Sequence, residues 1–246
     1  MNVALVTVGD ELLQGETVNT NAAWLGRELT TTGADVVRVL VVPDEEDAII
    51  RAVRRAAEAW DAVIVTGGLG PTHDDITMEA VAAAFDRPMT ENRIALEWIV
   101  EERGYDLERL TAGTADLPEG AEPLHNEVGV APGARIENVY VLPGVPDEMK
   151  AMYRSIANEF SGDQRYRAKI PIDEPESRLV PRLEELRTEF DVSVGSYPGE
   201  IVVVRLIGED PEEIETAAGW LRSRSEIADR ASAEEHVQPE SGDEEA

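Results

Sequence analysis

The chain has 246 residues, 51 acidic against 22 basic side chains for a net charge of −29, and no cysteine. That length accommodates one large or two modest domains, and the missing cysteine excludes disulfides, thiolate metal sites and cysteine nucleophiles. The negative field disfavours nucleic acid as a partner, and no apolar run reaches the ~20 residues that span a bilayer, so the chain reads as a soluble cytoplasmic protein without membrane contact.

From the N-terminus, 2–8 (NVALVTV) reads as a strand, after which Ala22, Leu25 and Leu29 recur on one helical face until Gly33. Residues 36–42 form a second β-branched run. Asp44 then stands where it can cap a helix carrying Ile49, Val53, Ala56 and Trp60 on one face, and 62–66 (AVIVT) supplies a third strand. Further helices are predicted at 76–85, 91–103 and 147–159, with a short strand at 139–142. Continuous apolar strands separated by helices predict a three-layer α/β/α domain over residues 1–160, built on a mostly parallel sheet covered on both faces.

The pattern changes at 161–167 (SGDQRYR), which reads as a linker. Beyond it, a strand at 168–172, a helix at 179–190, strands at 192–196 and 201–207, and a helix at 211–222 predict a small α+β unit of βαββα order over 168–225. From Glu226 the composition is acidic, small and free of aromatics, which predicts a disordered tail over 226–246.

In an open parallel sheet, ligands bind beyond the carboxyl ends of the strands. Three segments fall there: TVGDELLQG at 7–15, VPDEE at 42–46 and TGGLGPTHDD at 66–75. Gly67, Gly68 and Gly70 permit a tight turn with open backbone N–H groups, as in loops that bind phosphate, although a plain glycine turn reads the same. No Gly-Lys-Ser/Thr follows them, which excludes a Walker loop, and His73 takes the third glycine position of the dinucleotide fingerprint.

Glu11, Asp44, Asp74 and Asp75 gather at the same strand ends. Carboxylates around a phosphate demand an intervening cation, and Mg²⁺ or Mn²⁺ is the preferred partner of carboxylate and phosphate oxygens together. Helix capping is the competing role for Asp44 and for Asp74 or Asp75. Asn19 and Asn21 are candidates for polar groups of a ligand, with Asn19 or Thr20 equally able to cap the following helix. No Gly-x-Ser-x-Gly elbow supports serine hydrolase chemistry. Only Lys150 and Lys169 are lysines; so acidic and lysine-poor a surface points to a protein working in concentrated salt, where repulsion is screened.

Together, Gly9-Asp10-Glu11-Leu12-Leu13 with Gly15 and Asn19-Thr20-Asn21, then Thr66-Gly67-Gly68-Leu69-Gly70-Pro71-Thr72 with Asp74-Asp75, then Ala131-Pro132-Gly133, and finally Leu142-Pro143-Gly144-Val145-Pro146 with Glu148-Met149-Lys150, resemble the competence/damage-inducible protein A (CinA) family. The N-terminal domain of that family belongs to the molybdopterin-binding superfamily of molybdenum-cofactor biosynthesis. The resemblance covers about residues 1–160, and the C-terminal unit is similar to the KH-like domain of such proteins. It implies a three-layer α/β fold, a homo-oligomer, and a pocket for a small dinucleotide or a pterin.

Related domains hydrolyse ADP-ribose or FAD at the pyrophosphate with a divalent metal (magnesium, manganese or cobalt), in some cases aided by potassium. Others bind molybdopterin and take part in its adenylylation or in metal insertion. Carried over by position, Glu11, Asp44 and Asp75 match acidic pocket residues of the superfamily; two or three of Glu11, Asp44, Asp74 and Asp75 would hold the metal, with Asp44 and Asp75 as catalytic residues. Gly67, Gly68, Gly70 and Thr72 match the phosphate loop, Gly9, Asn19, Asn21, Pro143 and Gly144 further ligand contacts, and Asn126 the asparagine before the Ala-Pro-Gly turn. The usual Lys-Gln-Ala stretch is here Gly113-Thr114-Ala115, and the usual threonine before Ala-Pro-Gly is Val130. Three readings follow: a metal-dependent nucleotide pyrophosphatase, a molybdopterin-binding protein without hydrolytic activity, and a non-enzymatic ligand-sensing protein.

Overall fold

The apolar, β-branched runs become the inner strands of a six-stranded sheet. The computed structural model describes residues 1–70, 75–106, 108, 110–162, 165–228 and 238–239, in two units: residues 1–29 with 34–161, and residues 30–33 with 162–246. In the first unit, β1 (Asn2–Val8), β2 (Asp35–Val42), β3 (Ala62–Thr66) and β8 (Val139–Leu142) run parallel. The short strands β6 (Glu122–Leu124) and β7 (Gly133–Ile136) extend the sheet in the order β2-β1-β3-β8-β7-β6, and β7 is antiparallel to both its neighbours. The sheet is therefore mixed and mostly parallel.

Both faces are covered, which is why the inner strands are apolar throughout rather than alternating. Ala4, Val6 and Val8 of β1 face a core with Ile49 and Val53 of α3 (Glu46–Ala59) and Val81 of α4 (Thr77–Ala84). Val3 and Leu5 face the opposite core, with Leu25 and Leu29 of α2 (Thr20–Thr31) and Met149 and Tyr153 of α6 (Pro146–Ile156). Each fully buried side chain of this size contributes about 1.5–3 kcal/mol. Polar side chains complete the helix ends. Arg54 donates from Nε to Ala84 O (2.7 Å) and from Nη2 to Ala83 O (2.8 Å), and Asn138 Nδ2 donates to the Ala57 and Trp60 carbonyls, both at 3.0 Å.

The helix predicted at 91–103 starts later and changes form. Glu91 ends β4 (Met89–Glu91), which pairs with β5 (Asp116–Pro118), so the helical run begins after it. Asn92 Oδ1 accepts the Ala95 N–H at 3.0 Å and caps α5 (Arg93–Glu97), and Trp98–Glu102 then widens into a π-helix. Trp98 lies stacked on His125 with ring centroids 4.6 Å apart.

The second unit has the predicted order: β9 (Tyr166–Ile172), α7 (Glu176–Glu189), β10 (Ser193–Tyr197), β11 (Val202–Gly208) and α8 (Pro211–Arg222), its strands antiparallel in the order β10-β11-β9. Ile170, Leu179, Leu186, Val204, Leu206 and Ile214 are among its buried core residues. Helix α7 begins three residues before the predicted Leu179 and so carries Pro181 inside, where the ring removes one backbone donor. Asp210 Oδ1 accepts the Glu212 N–H (2.8 Å) and Pro211 opens α8, a favoured helix start.

The tail expected from Glu226 begins instead as part of this sheet. Asp173 N–H donates to Glu226 O (2.8 Å), Ile227 bridges Ile172, and Ala228 N–H donates to Pro171 O (3.2 Å). Ile227 is apolar enough to join the core, the physical reason the segment docks. Further on, β12 (Gln238–Pro239) pairs with Arg167 and Tyr166 at the edge of β9. The rest of the predicted tail lies outside the described residues. Among those described, no helix is long and apolar enough to cross a membrane.

Candidate functional site

Because β1, β3 and β8 run parallel, the loops leaving their carboxyl ends meet, and there they enclose a cleft of about 260 Å³. Two hydroxyls mark its floor, Thr7 and Thr66, both buried at the ends of apolar strands. Thr7 Oγ1 donates to Leu40 O (3.1 Å) and accepts from Asn19 Nδ2 (3.0 Å). Asn19 Oδ1 in turn accepts the Ala22 N–H (3.0 Å), so Asn19 caps α2 while lining the cleft. Asn21 reaches across to the loop after β8, its Nδ2 donating to Gly144 O at 2.7 Å.

The glycine loop after β3 packs backbone against backbone. Gly67 and Gly68 have φ of +106° and +62°, the left-handed region that favours glycine. A Cβ on Gly67 would lie 2.3 Å from Val8 O, one on Gly68 2.3 Å from Thr77 Oγ1, and one on Gly144 3.1 Å from Gly67 Cα. Gly67 N–H donates to Leu142 O (3.3 Å) and Gly9 N–H to Val42 O (3.1 Å), so these two donors are spent on joining the loops. Gly68 lines the cleft as expected, whereas Gly70 does not and lies against Asp75, whose Oδ2 would be 2.4 Å from a Cβ there.

Glu11, Asp44 and Asp75 all line the cleft. The Glu11 carboxylate folds over Gly9, where a Cβ would lie 2.6 Å from Oε1. Asp44 Oδ2 accepts the Asp10 N–H at 2.8 Å. It thereby secures the start of the short helix α1 (Asp10–Leu13), not of α3, whose N-cap is Glu45. No lysine, arginine or histidine is among the described lining residues. Nor do any three acidic or histidine side chains among the described residues form a group that could hold a metal ion unaided. Asp74 and Thr72, with His73, lie outside the described residues.

Two expected ligand contacts have other work. Asn126 is buried away from the cleft lining; its Nδ2 donates to Ala131 O (3.0 Å) and Glu148 Oε2 (2.7 Å), and its Oδ1 accepts from Gly129 N–H (2.7 Å). It shapes the 126–131 turn and ties it to α6. Pro143 is buried behind Gly144 and is not a lining residue. Thr7 and Thr66 were missed as floor residues, though a hydroxyl at or next to the end of an otherwise apolar strand (ALVTV, AVIVT) was the available signal. Away from the cleft, burial, with Glu159 beside it, pushes the Tyr140 hydroxyl up to about 12.

With this geometry in hand, residues 4–161 match the family model described as "Probable molybdopterin binding domain". The chain belongs to this family. The match spans the six-stranded unit and the whole cleft. An Archaeoglobus fulgidus protein is 36% identical to this molybdopterin-binding-domain chain over 219 residues, covering 88% of this chain and 95% of its own. A Pyrococcus furiosus protein is 38% identical over 244 residues, covering 91% and 97%. Among solved structures, the CinA protein of Thermoplasma acidophilum, described as of unknown function, is 40% identical with a TM-score of 0.59, over 65% of this chain and 97% of that one. The CinA resemblance read from the motifs therefore holds.

Proposed function

We propose that the cleft binds the pyrophosphate of a dinucleotide such as ADP-ribose or FAD together with a divalent cation, and that the chain hydrolyses it. The observation that carries this reading is a glycine loop beside a cleft lined by the carboxylates of Glu11, Asp44 and Asp75, with no lysine, arginine or histidine among the described lining residues. An anion beside these carboxylates is favoured when positive charge arrives with it. All-oxygen donors suit magnesium, manganese or cobalt, and magnesium characteristically takes one or two carboxylates and completes its shell with water and phosphate oxygens, so a preformed cage of three is not required. Glu11 and Asp75 would hold the ion, and when bound it supplies charge neutralisation and a more acidic water.

The chain's own residues do the rest. The Asp75 carboxylate accepts a proton from the attacking water. The Gly68 backbone N–H would meet the developing negative charge, because Gly67 N–H is already held by Leu142 O. Asp44, fixed by the Asp10 N–H, orients the water or shares the ion. The test is a screen of ADP-ribose, FAD and NAD with magnesium, manganese and cobalt, with and without potassium, in concentrated salt. Release of mononucleotides that stops on chelation is the expected result. A second reading, molybdopterin binding without hydrolysis, draws on the family description and on the commitment of Asp44 to a backbone donor. Retention of molybdopterin without turnover of any pyrophosphate would select it.

A further inference from the structure

We propose that the face of the second unit's sheet turned away from α7 and α8 is a docking surface for the acidic segment 240–246 of this same chain, whose carboxylates pair with Arg167, Lys169 and Arg205. None of these three residues lines the cleft, so the surface does not depend on what the cleft binds.

The strands themselves mark the face. β9, β10 and β11 contain no aspartate or glutamate, in a chain with 51 acidic residues, yet they contain Arg167, Lys169 and Arg205. Successive side chains of a strand point to opposite faces. Ala168, Ile170, Val204 and Leu206 pack into the core with α7 and α8, so all three cations fall on the other face. The register sets them side by side, with Arg205 opposite Lys169 and Ile207 opposite Arg167. Like charges directly opposite in a sheet are destabilising, and a carboxylate laid between them turns that repulsion into attraction. Arg205 is positioned beforehand. Its guanidinium carbon lies 5.0 Å from the centre of the Tyr197 ring and it bonds the Tyr197 hydroxyl. That ring in turn lies along Gly195, where a Cβ would be 3.0 Å from Tyr197 Cε2.

Position and charge choose the occupant. β12 lies on the edge of β9, with Gln238 opposite Arg167 and Pro239 opposite Tyr166, so residue 240 starts next to the basic face. Residues 240–246 themselves lie outside the described residues. Their sequence, ESGDEEA, has four carboxylates, no base and a Ser-Gly pair of the kind that reverses a chain. Seven extended residues reach about 23–25 Å, whereas the three cations spread over about 7 Å along β9 and one interstrand spacing of about 5 Å. A polyanion arriving from solution must approach a chain of net charge −29. A tethered one is already present, at an effective concentration in the millimolar range. The same tether makes the segment a built-in competitor against any other acidic partner of this face.

The test is acetylation with acetic anhydride, read by mass spectrometry, because Lys150 in the first unit is the one other lysine and serves as reference for Lys169. Wild type is compared with the variant Glu240→Gln, Asp243→Asn, Glu244→Gln, Glu245→Gln, which removes the charge and keeps the length. The ratio of Lys169 to Lys150 acetylation is expected to rise about threefold or more in the variant, the scale of an exposed ion pair released. An unchanged ratio overturns the docking. A second measurement uses the absence of cysteine, since Ala246→Cys accepts a single nitroxide label. The label is expected to broaden the amide signals of Gly195 and Arg205, and the broadening to fall when Lys169 and Arg205 are both replaced by glutamine. Broadening that is absent, or unchanged in that variant, overturns the proposal as well. Oligothymidylate is the competing probe. Binding by the neutralised chain alone is the expected competition, whereas equal binding by wild type, lost in Lys169→Gln, Arg205→Gln, assigns the face to nucleic acid and overturns the segment as its occupant.

Discussion

Asn21 and Gly144, 123 positions apart in sequence, are joined by a 2.7 Å hydrogen bond from the side-chain amide of one to the carbonyl of the other. A carbonyl only accepts, so the amide nitrogen must face it and the orientation of Asn21 is determined. Asn21→Asp puts a second acceptor against that carbonyl. The expected outcome is a loss of about 1–3 kcal/mol in urea denaturation, with ligand affinity down about tenfold as the loop after β8 moves away.

The close backbone approach at Gly67 makes a sharper prediction. Gly15 has φ +74° with nothing within 4 Å of an added Cβ, so Gly15→Ala meets only backbone strain, about 1–2 kcal/mol. Gly67→Ala meets similar strain together with the Val8 carbonyl at 2.3 Å. It is expected to lower stability by at least about 3 kcal/mol. Unfolding curves of the two variants, run side by side, test whether the clash or the dihedral dominates.

Asp44 offers a way to separate holding a helix from holding a ligand. Asparagine keeps an oxygen for the Asp10 N–H, so Asp44→Asn should change stability by less than about 1 kcal/mol, whereas Asp44→Ala should lower it by about 0.5–2 kcal/mol. Loss of the charge in Asp44→Asn, and likewise in Asp75→Asn, should reduce turnover by roughly 10²-fold. Normal turnover in both, and in Glu11→Gln, would leave the carboxylates as structural and favour the binding protein.

In the second unit, two hydrogen bonds from Arg182, with the Glu226 N–H beside them, hold the Glu174 carboxyl down at about 2 from its usual 4.5. A folded pKa below the unfolded one gives stability that is fully present above pH ~5 and is lost as pH falls from there toward pH ~2. The Arg182 guanidinium also donates to Ser225 Oγ and the Arg224 carbonyl, so the same pair anchors the segment that leads to Ile227. Thermal unfolding of the second unit from pH 7 to 2 should show this loss in the wild-type chain and a flatter profile in Glu174→Gln.

Salt should act in the opposite direction to acid-free intuition about ion pairs. With 51 acidic and 22 basic residues, the folded chain is under self-repulsion. Screening lengths fall to a few Å at molar salt, so the unfolding midpoint should rise from about 0.1 M to about 2 M KCl. A flat or falling midpoint would dispose of the concentrated-salt reading.

Long elements with a clear period were legible in the sequence. Runs such as NVALVTV and AVIVT are apolar throughout because helices cover both sheet faces, and the three loops beyond them were placed at the right ends of the right strands. Short elements were not. β6 and β7 have three and four residues, too few to show a period, and Pro123 argues against a strand except near an edge, where β6 lies. Roles that depend on a distant partner were also hidden. Asp44 precedes α3 yet serves α1, and Asn126 looks like a ligand contact until Glu148, 22 residues on, is seen to occupy it. Ile227 looks like one residue in an acidic tail until Ile172 is beside it.

The junction of Gly67 with Val8 and Gly144 has a consequence for how this architecture can diversify. Main chain touches main chain there, with no side chain between to be exchanged for a larger or smaller one, so the floor admits almost no inherited variation. Leu12 and Val18, which also line the cleft, meet it with side chains instead. A descendant of this chain could change positions 12 and 18 by single substitutions while the glycine junction stayed as it was.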